Sequence, residues 1–225
     1  MRTCVIIPTY NESKTIAGLI KQVLSLGFKV IVIDDGSSDS TADIAQTSGV
    51  TVLRNLKNLG KGAALVKGYN FAVAQGFDAV ISMDGDGQHE PNDLAVFVQK
   101  AESSNCGVIV GNRMNAIRQM PVLRILTNRF MSWLISLITG QYIPDTQCGF
   151  RLVRADILRK IILSTTKYET ESEILIRAAR LGARIEAVPV KTIYLGGKSQ
   201  INPFVDTLRF VRFIFSEFFG GCKHV

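Results

Sequence analysis

Cysteine is scarce in this chain and poorly placed for structural work. Cys4, Cys106, Cys148 and Cys222 are scattered, with no CxxC pair among them. A zinc site or a disulfide framework is therefore not expected, and a reducing compartment fits best. Long apolar runs are missing as well. No window offers the ~20 consecutive apolar residues of a membrane span. The nearest, "FMSWLISLIT" at 130–139, is short and follows Arg124, Asn128 and Arg129. The apolar run before Pro8 is too brief for a signal peptide. The expectation is a protein that is soluble or rests on a surface without crossing it. Linkers, internal repeats and low-complexity tracts are also lacking. The 225 residues are therefore read as a single domain over 1–225, long enough to bury its own core without staples.

What is present is positive charge. Twenty-six Lys and Arg against 19 Asp and Glu give a net charge of +7. That balance suggests an anionic partner, whether nucleic acid, anionic lipid or a phosphate-rich substrate, or simply a basic solvated surface.

The first half alternates regularly. Apolar strands are expected at 3–8, 30–34, 51–55, 78–84 and 107–112, with helices at 12–25, 40–47, 62–75 and from Pro91 to about 102. Continuous apolar strands between amphipathic helices mean βαβ units and a mostly parallel sheet with helices on both faces. After Arg113 come an apolar-basic segment (122–139), the stretch "DTQCGFRLVRADIL" (145–158) and a helix over 171–181. Short strands are expected at 184–190 and 192–195, then a last helical segment within 202–219. In such sheets ligands bind at the carboxyl ends of the strands. There the chain places "PTYNE", "DDGSSDS", "NLGKG", "DGDGQ" and "GNR", five polar clusters on one edge.

"MDGDGQH" (83–89) sets Asp84 and Asp86 two residues apart at the tip of a buried strand. Two unit charges about 4 Å apart cost roughly 4 kcal/mol at an effective dielectric near 20, so positive charge is expected beside them. A calcium EF-hand fails, because its required glycine and glutamate fall on His89 and Ala95. An aspartyl-phosphate phosphatase would use a DxDG strand end with the first carboxylate as nucleophile. A divalent cation shared with a diphosphate suits few protein oxygens. Asp-Gly is also ordinary turn chemistry.

"PTYNE" (8–12), "DDGSSDST" (34–41), "NLGKGAA" (58–64), "MDGDGQH" (83–89) and "GNR" (111–113), extended by "DTQCGFRL" (145–152) and "YETESEIL" (168–175), carry a resemblance in order and spacing. The chain resembles the family 2 glycosyltransferases of GT-A fold, and within them the polyprenyl-phosphate sugar transferases such as dolichol-phosphate mannose or glucose synthases. The resemblance implies a nucleotide-sugar half (about 1–113) and an acceptor half (about 114–225). It implies that Pro8, Tyr10 and Glu12 surround the nucleoside, that Asp34 and Asp35 bond the base, and that Lys61 lies near the nucleotide. Asp84, Asp86 and Gln88 match the metal-binding run for Mg²⁺ or Mn²⁺, with Asp86 the direct ligand. His89 has no assigned role. Arg113 and Arg129 match phosphate-gripping arginines, and Lys198 the basic residue of an acceptor loop; Gln200 departs from that loop's usual pattern.

The implied reaction is inverting, metal-dependent transfer of a hexose from a UDP- or GDP-linked sugar to a polyprenyl phosphate. Asp86, Arg113 and Arg129 carry it in this reading. An ionised phosphate needs no base, whereas a hydroxyl acceptor does. The alternative is therefore a family 2 enzyme acting on a saccharide or other hydroxyl, with Glu171 or Glu173 as base; both could equally serve the helix dipole. The expected location is cytoplasmic and peripheral at the inner membrane face, with a membrane-protein partner or a homodimer as further possibilities. A nucleic-acid partner is not expected, since it would leave five acidic or glycine-rich loops unexplained.

Overall fold

The computed structural model describes residues 1–114, 122–193, 209–215 and 217. Lys198 and most of the expected acceptor loop lie outside the described residues. Strands β1 (Thr3–Thr9), β2 (Lys29–Asp34), β3 (Thr51–Arg54), β4 (Ala79–Ser82), β5 (Val108–Asn112), β6 (Arg151–Arg154) and β7 (Ile185–Pro189) form one sheet in the order β3-β2-β1-β4-β6-β5-β7. Helices α1 (Ile16–Ser25), α2 (Thr41–Thr47), α3 (Lys61–Ala74), α4 (Leu94–Ser103), α5 (Val122–Thr139), α6 (Ala155–Leu158) and α7 (Glu169–Arg180) follow the strands. Residues 209–215 are also helical.

Residues 4–8 of β1, 30–34 of β2 and all of β4 are buried, as strands covered on both faces must be. Helix α1 touches α2 and the 3₁₀ turn that opens α4, while α3 packs with α6 and α7, and α5 with α7. Gly68 lets α3 settle closely on the sheet, because a Cβ there would lie 2.7 Å from Ile33.

Besides the strand expected at 192–195, whose described residues form only an isolated bridge between Thr192 and His89, two elements differ from the sequence reading. The first helix begins at Ile16 rather than near residue 12. The backbone N–H groups of Asn11, Glu12 and Ser13 donate instead to Ser37 Oγ, Thr41 Oγ1 and Asp39 Oδ2. The neighbouring loop has recruited donors that a longer helix would have left at its own end. The second difference is β6, a strand inside "DTQCGFRLVRADIL" that the sequence reading did not assign. It runs antiparallel between β4 and β5, pairing Ser82 with Arg151 on one side and Val110 with Arg151 on the other. The other strands share one direction, so their carboxyl ends form one edge, and the 145–150 segment enters the sheet at that edge.

Candidate active site

The loops at this edge are fastened to one another by side chains. Asn11, in the left-handed region at φ 58°, turns its Oδ1 to accept from the Ser38 N–H at 2.9 Å. Asp39 accepts from the N–H groups of Ser13 and Thr41. Thr15 Oγ1 donates to the Gly85 carbonyl at 2.7 Å, joining the start of α1 to the DGDG turn. Pro8 is buried within β1, and Tyr10 and Glu12 line the rim in half-buried positions.

Asp34 and Asp35 are turned inward. Asp34 accepts from the Ser37 N–H at 3.2 Å and lies 3.1 Å from Arg54 Nε. Asp35 accepts from Asn55 Nδ2 at 2.8 Å, Leu59 N–H at 3.0 Å and Gly60 N–H at 2.7 Å. These bonds shape the 55–60 loop and set the angle at which α3 starts.

The positive charge expected beside the carboxylate pair is supplied by the chain itself. Lys61 Nζ, at the first position of α3, lies 2.7 Å from Asp84 Oδ1 and 3.1 Å from Glu171 Oε1. Burial would lower the lysine's pKa, but the two carboxylates more than offset it and hold the ammonium above the usual lysine range. Burial would likewise raise Asp84, yet Lys61 and His89 hold it well below the usual carboxylate range. His89, buried against Phe150, places Nε2 at 3.4 Å from Asp84 Oδ2. Among the described residues, Asp86 is the member of the pair without such a counterion. Its Oδ1 accepts from the Gln88 N–H at 3.0 Å, and burial together with the Asp84 charge pushes its pKa up. Glu12 is raised to about 7 by burial and by Asp86.

Across the site, Arg113 is buried and held by Asp145, with Nε at 2.8 Å and Nη2 at 3.0 Å from the two carboxylate oxygens. Its own N–H also donates to Asp145 Oδ2 at 3.2 Å. A guanidinium gripped on one side still presents its Nη1 donors. Asp145 was not singled out from sequence; a buried arginine at a strand end is the signal that could have prompted a search for its acid. Arg151 was also missed. It is fully buried, and its guanidinium donates to the carbonyls of Cys148 (2.7 Å), Thr146 (2.6 Å) and Glu171. One side chain thereby ties the 145–149 segment to α7. That segment passes so near the DGDG turn that a Cβ on Gly149 would lie 2.6 Å from Asp84 Oδ2.

Glu171 thus joins the Lys61–Asp84 cluster, but Glu173 does not. Glu173 is fully buried and accepts from the N–H and hydroxyl groups of both Ser164 and Thr165. Arg129 is exposed on α5.

Residues 4–162 match the profile of the glycosyl transferase family 2. The chain belongs to that family. This glycosyltransferase is 31% identical over 212 residues to the UDP-N-acetylglucosamine–dolichyl-phosphate N-acetylglucosaminyltransferase of Methanococcus voltae, covering 84% of each chain. It is 32% identical over 205 residues to the undecaprenyl-phosphate mannosyltransferase of Micrococcus luteus, covering 84% of this chain and 83% of that one. Among solved structures, glucosyl-3-phosphoglycerate synthase of Mycobacterium tuberculosis, crystallised with Mn²⁺, uridine diphosphate and phosphoglyceric acid, superposes with a TM-score of 0.73. The sequences share 21% identity, and the match covers 99% of this chain and 79% of that one. The likeness establishes the GT-A fold for the glycosyltransferase.

Proposed function

We propose that this glycosyltransferase moves a hexose, with inversion, from a UDP- or GDP-linked sugar to a polyprenyl phosphate at the cytoplasmic face of a membrane. The observation that carries the reading is the condition of the acceptor-side carboxylates. A hydroxyl acceptor requires a carboxylate free to take its proton. Glu173 is enclosed by the donors of Ser164 and Thr165, and Glu171 is engaged by Lys61. A phosphate acceptor is already ionised and needs cations to bring it to a second anionic substrate. Arg113, Arg129 and Lys198 are the residues assigned to that task. The relatives named for dolichyl and undecaprenyl phosphates support the same acceptor class.

On the donor side, Pro8, Tyr10 and Glu12 are assigned to the nucleoside, against the wall that Asp34 and Asp35 build. Lys61 is assigned to the diphosphate, where it would exchange part of its contact with Asp84 for phosphate oxygens. Among the described residues no group of three His, Cys, Asp or Glu is placed to hold a metal by itself. The residues fit a cation of the few-ligand kind: Asp86, raised by burial and by its neighbour's charge, gains most from one. Mg²⁺ or Mn²⁺ would be held by Asp86, with Asp84 and Gln88 beside it, and supplies a Lewis acid for the departing diphosphate.

The test is incubation with labelled UDP- and GDP-sugars and polyprenyl phosphate in detergent. Chloroform-soluble label is expected, and Asp86→Ala abolishes it. Label confined to a water-soluble glycan or hydroxyl acceptor would replace this reading with the alternative one.

A further inference from the structure

Both oxygens of Asp84 are already taken by the chain's own donors. Lys61 Nζ stands 2.7 Å from Oδ1, and His89 Nε2 stands 3.4 Å from Oδ2. A divalent ion shared by Asp84 and Asp86 would therefore meet an ammonium on an oxygen it needs, and the two cations repel. Among the described residues no third His, Cys, Asp or Glu completes a set that could displace that ammonium. Two carboxylates, one of them already paired, make a weak site by themselves. Mg²⁺ bound in this way takes its remaining oxygens from substrate phosphates and water.

The lysine has a second carboxylate within reach. Glu171 Oε1 is buried, lies 3.1 Å from Lys61 Nζ, and accepts no aligned hydrogen bond from the described residues. Its place is fixed, because the Glu171 side chain is buried and its carbonyl is held by Arg151. The root of the lysine is fixed as well. Lys61 opens α3, and the next residue, Gly62, is packed so closely that a Cβ would lie 2.0 Å from Thr170 Oγ1. The Ala63 N–H donates to the Thr166 carbonyl at 3.0 Å, so the first turn of α3 is joined to the start of α7. Only the side-chain torsions of Lys61 are left to decide which carboxylate its ammonium favours. Here the shorter contact goes to Asp84.

We propose that Lys61 guards Asp84, keeping a divalent cation off the DGDG turn until a nucleotide diphosphate arrives, and then rotates toward Glu171 and the phosphates. Glu171 is a positioning residue that acts through Lys61, neither a base nor a ligand of the ion. The proposal deepens the donor side of the function proposed above and rests on it. What it adds is an order: diphosphate and cation enter together, and each tightens the other by the same factor.

Mn²⁺ binding to the full chain is read directly, from loss of the free-ion electron paramagnetic resonance signal, without any sugar transfer. Wild-type protein should bind Mn²⁺ at least about tenfold more tightly with UDP or GDP than alone, after subtraction of the Mn²⁺ that the nucleotide chelates in solution. Lys61→Met should strengthen binding of Mn²⁺ alone by about tenfold or more, since the opposing charge at the Asp84 oxygen is gone. Lys167→Met removes a neighbouring ammonium that packs against Gly60, and should change that affinity by no more than about twofold. Glu171→Gln should weaken Mn²⁺ binding about threefold while Lys61 is present, and have no such effect in Lys61→Met. Circular dichroism checks that each variant is folded, and the wild-type comparison stands by itself where one is not. Mn²⁺ held by wild type as tightly without nucleotide as with it would overturn the proposal. So would equal affinity for Mn²⁺ alone in wild type and folded Lys61→Met. A loss on Glu171→Gln that persists without Lys61 would make Glu171 a ligand and overturn it too. Failure of the underlying reading looks different: no Mn²⁺ binds to wild type or Lys61→Met, with or without nucleotide, which removes the ion from the site and the proposal with it.

Discussion

Gly149 and Asp84 share a space that admits only one side chain: a Cβ on the glycine would stand 2.6 Å from one carboxylate oxygen and 2.7 Å from the other. Gly149→Ala therefore pushes Asp84 off Lys61 and His89, or pushes the 145–149 segment away from the DGDG turn. A displacement of about 1 Å in a reacting constellation costs about 100-fold. Steady-state transfer should fall by about that factor with the secondary structure intact. Unaltered turnover would show that the contact is not needed for chemistry.

Lys61, Asp84 and Glu171 form one charged unit, so substitutions within it should not add. Lys61→Met leaves two carboxylates facing each other, and Asp84 is partly solvated, so the expected loss is about 2 kcal/mol rather than the full cost of breaking a buried pair. Adding Glu171→Gln to Lys61→Met should recover about 1 kcal/mol. Urea unfolding of the two singles and the double measures the coupling.

Arg151→Lys tests the clamp between the 145–149 segment and α7. One ammonium cannot reach three carbonyls arranged for a planar fork, so at least one buried acceptor is left unpaired, at about 1–3 kcal/mol each. A lower melting temperature is expected, with loss of kcat exceeding any change in donor KM.

Glu173 should influence acid stability and not turnover. Burial works to raise its pKa, but donors from Thr165 and Ser164 outweigh that and hold it below 4.5. A carboxyl depressed in the folded state contributes stability above its unfolded pKa and loses it as pH falls through the folded one. Glu173→Gln should therefore lower stability at neutral pH and flatten the acid limb below about pH 4.5. The kcat of the folded fraction should stay unchanged; a collapse of kcat would restore Glu173 as the base.

Much of the fold was legible because its inner strands β1, β2 and β4 are buried on both faces and read as unbroken apolar runs. Strand β6 was not, because "RLVR" begins with a fully buried Arg151 whose guanidinium is satisfied by the carbonyls of Thr146 and Cys148 just upstream together with that of Glu171 on a distant helix. No local pattern encodes that arrangement. The candidate site was readable as loops, since glycine and aspartate cluster at strand ends, but not as pairings. Lys61 with Asp84, and Arg113 with Asp145, join residues 23 and 32 positions apart, and only the closed sheet brings them within bonding distance. The inward turn of Asp35 was hidden for the same reason: its donors come from the loop after the next strand, while Asp34 meets Ser37 three residues on and Arg54 at the end of β3.

The antiparallel insertion of β6 has a metric consequence. With neighbouring strands about 4.8 Å apart, the tips of β4 and β5 are separated by about 10 Å. The acidic turn stands on one side of that interval and the Arg113 guanidinium on the other. The incoming peptide of residues 145–150 lies in that gap, so the same insertion sets both its width and its floor.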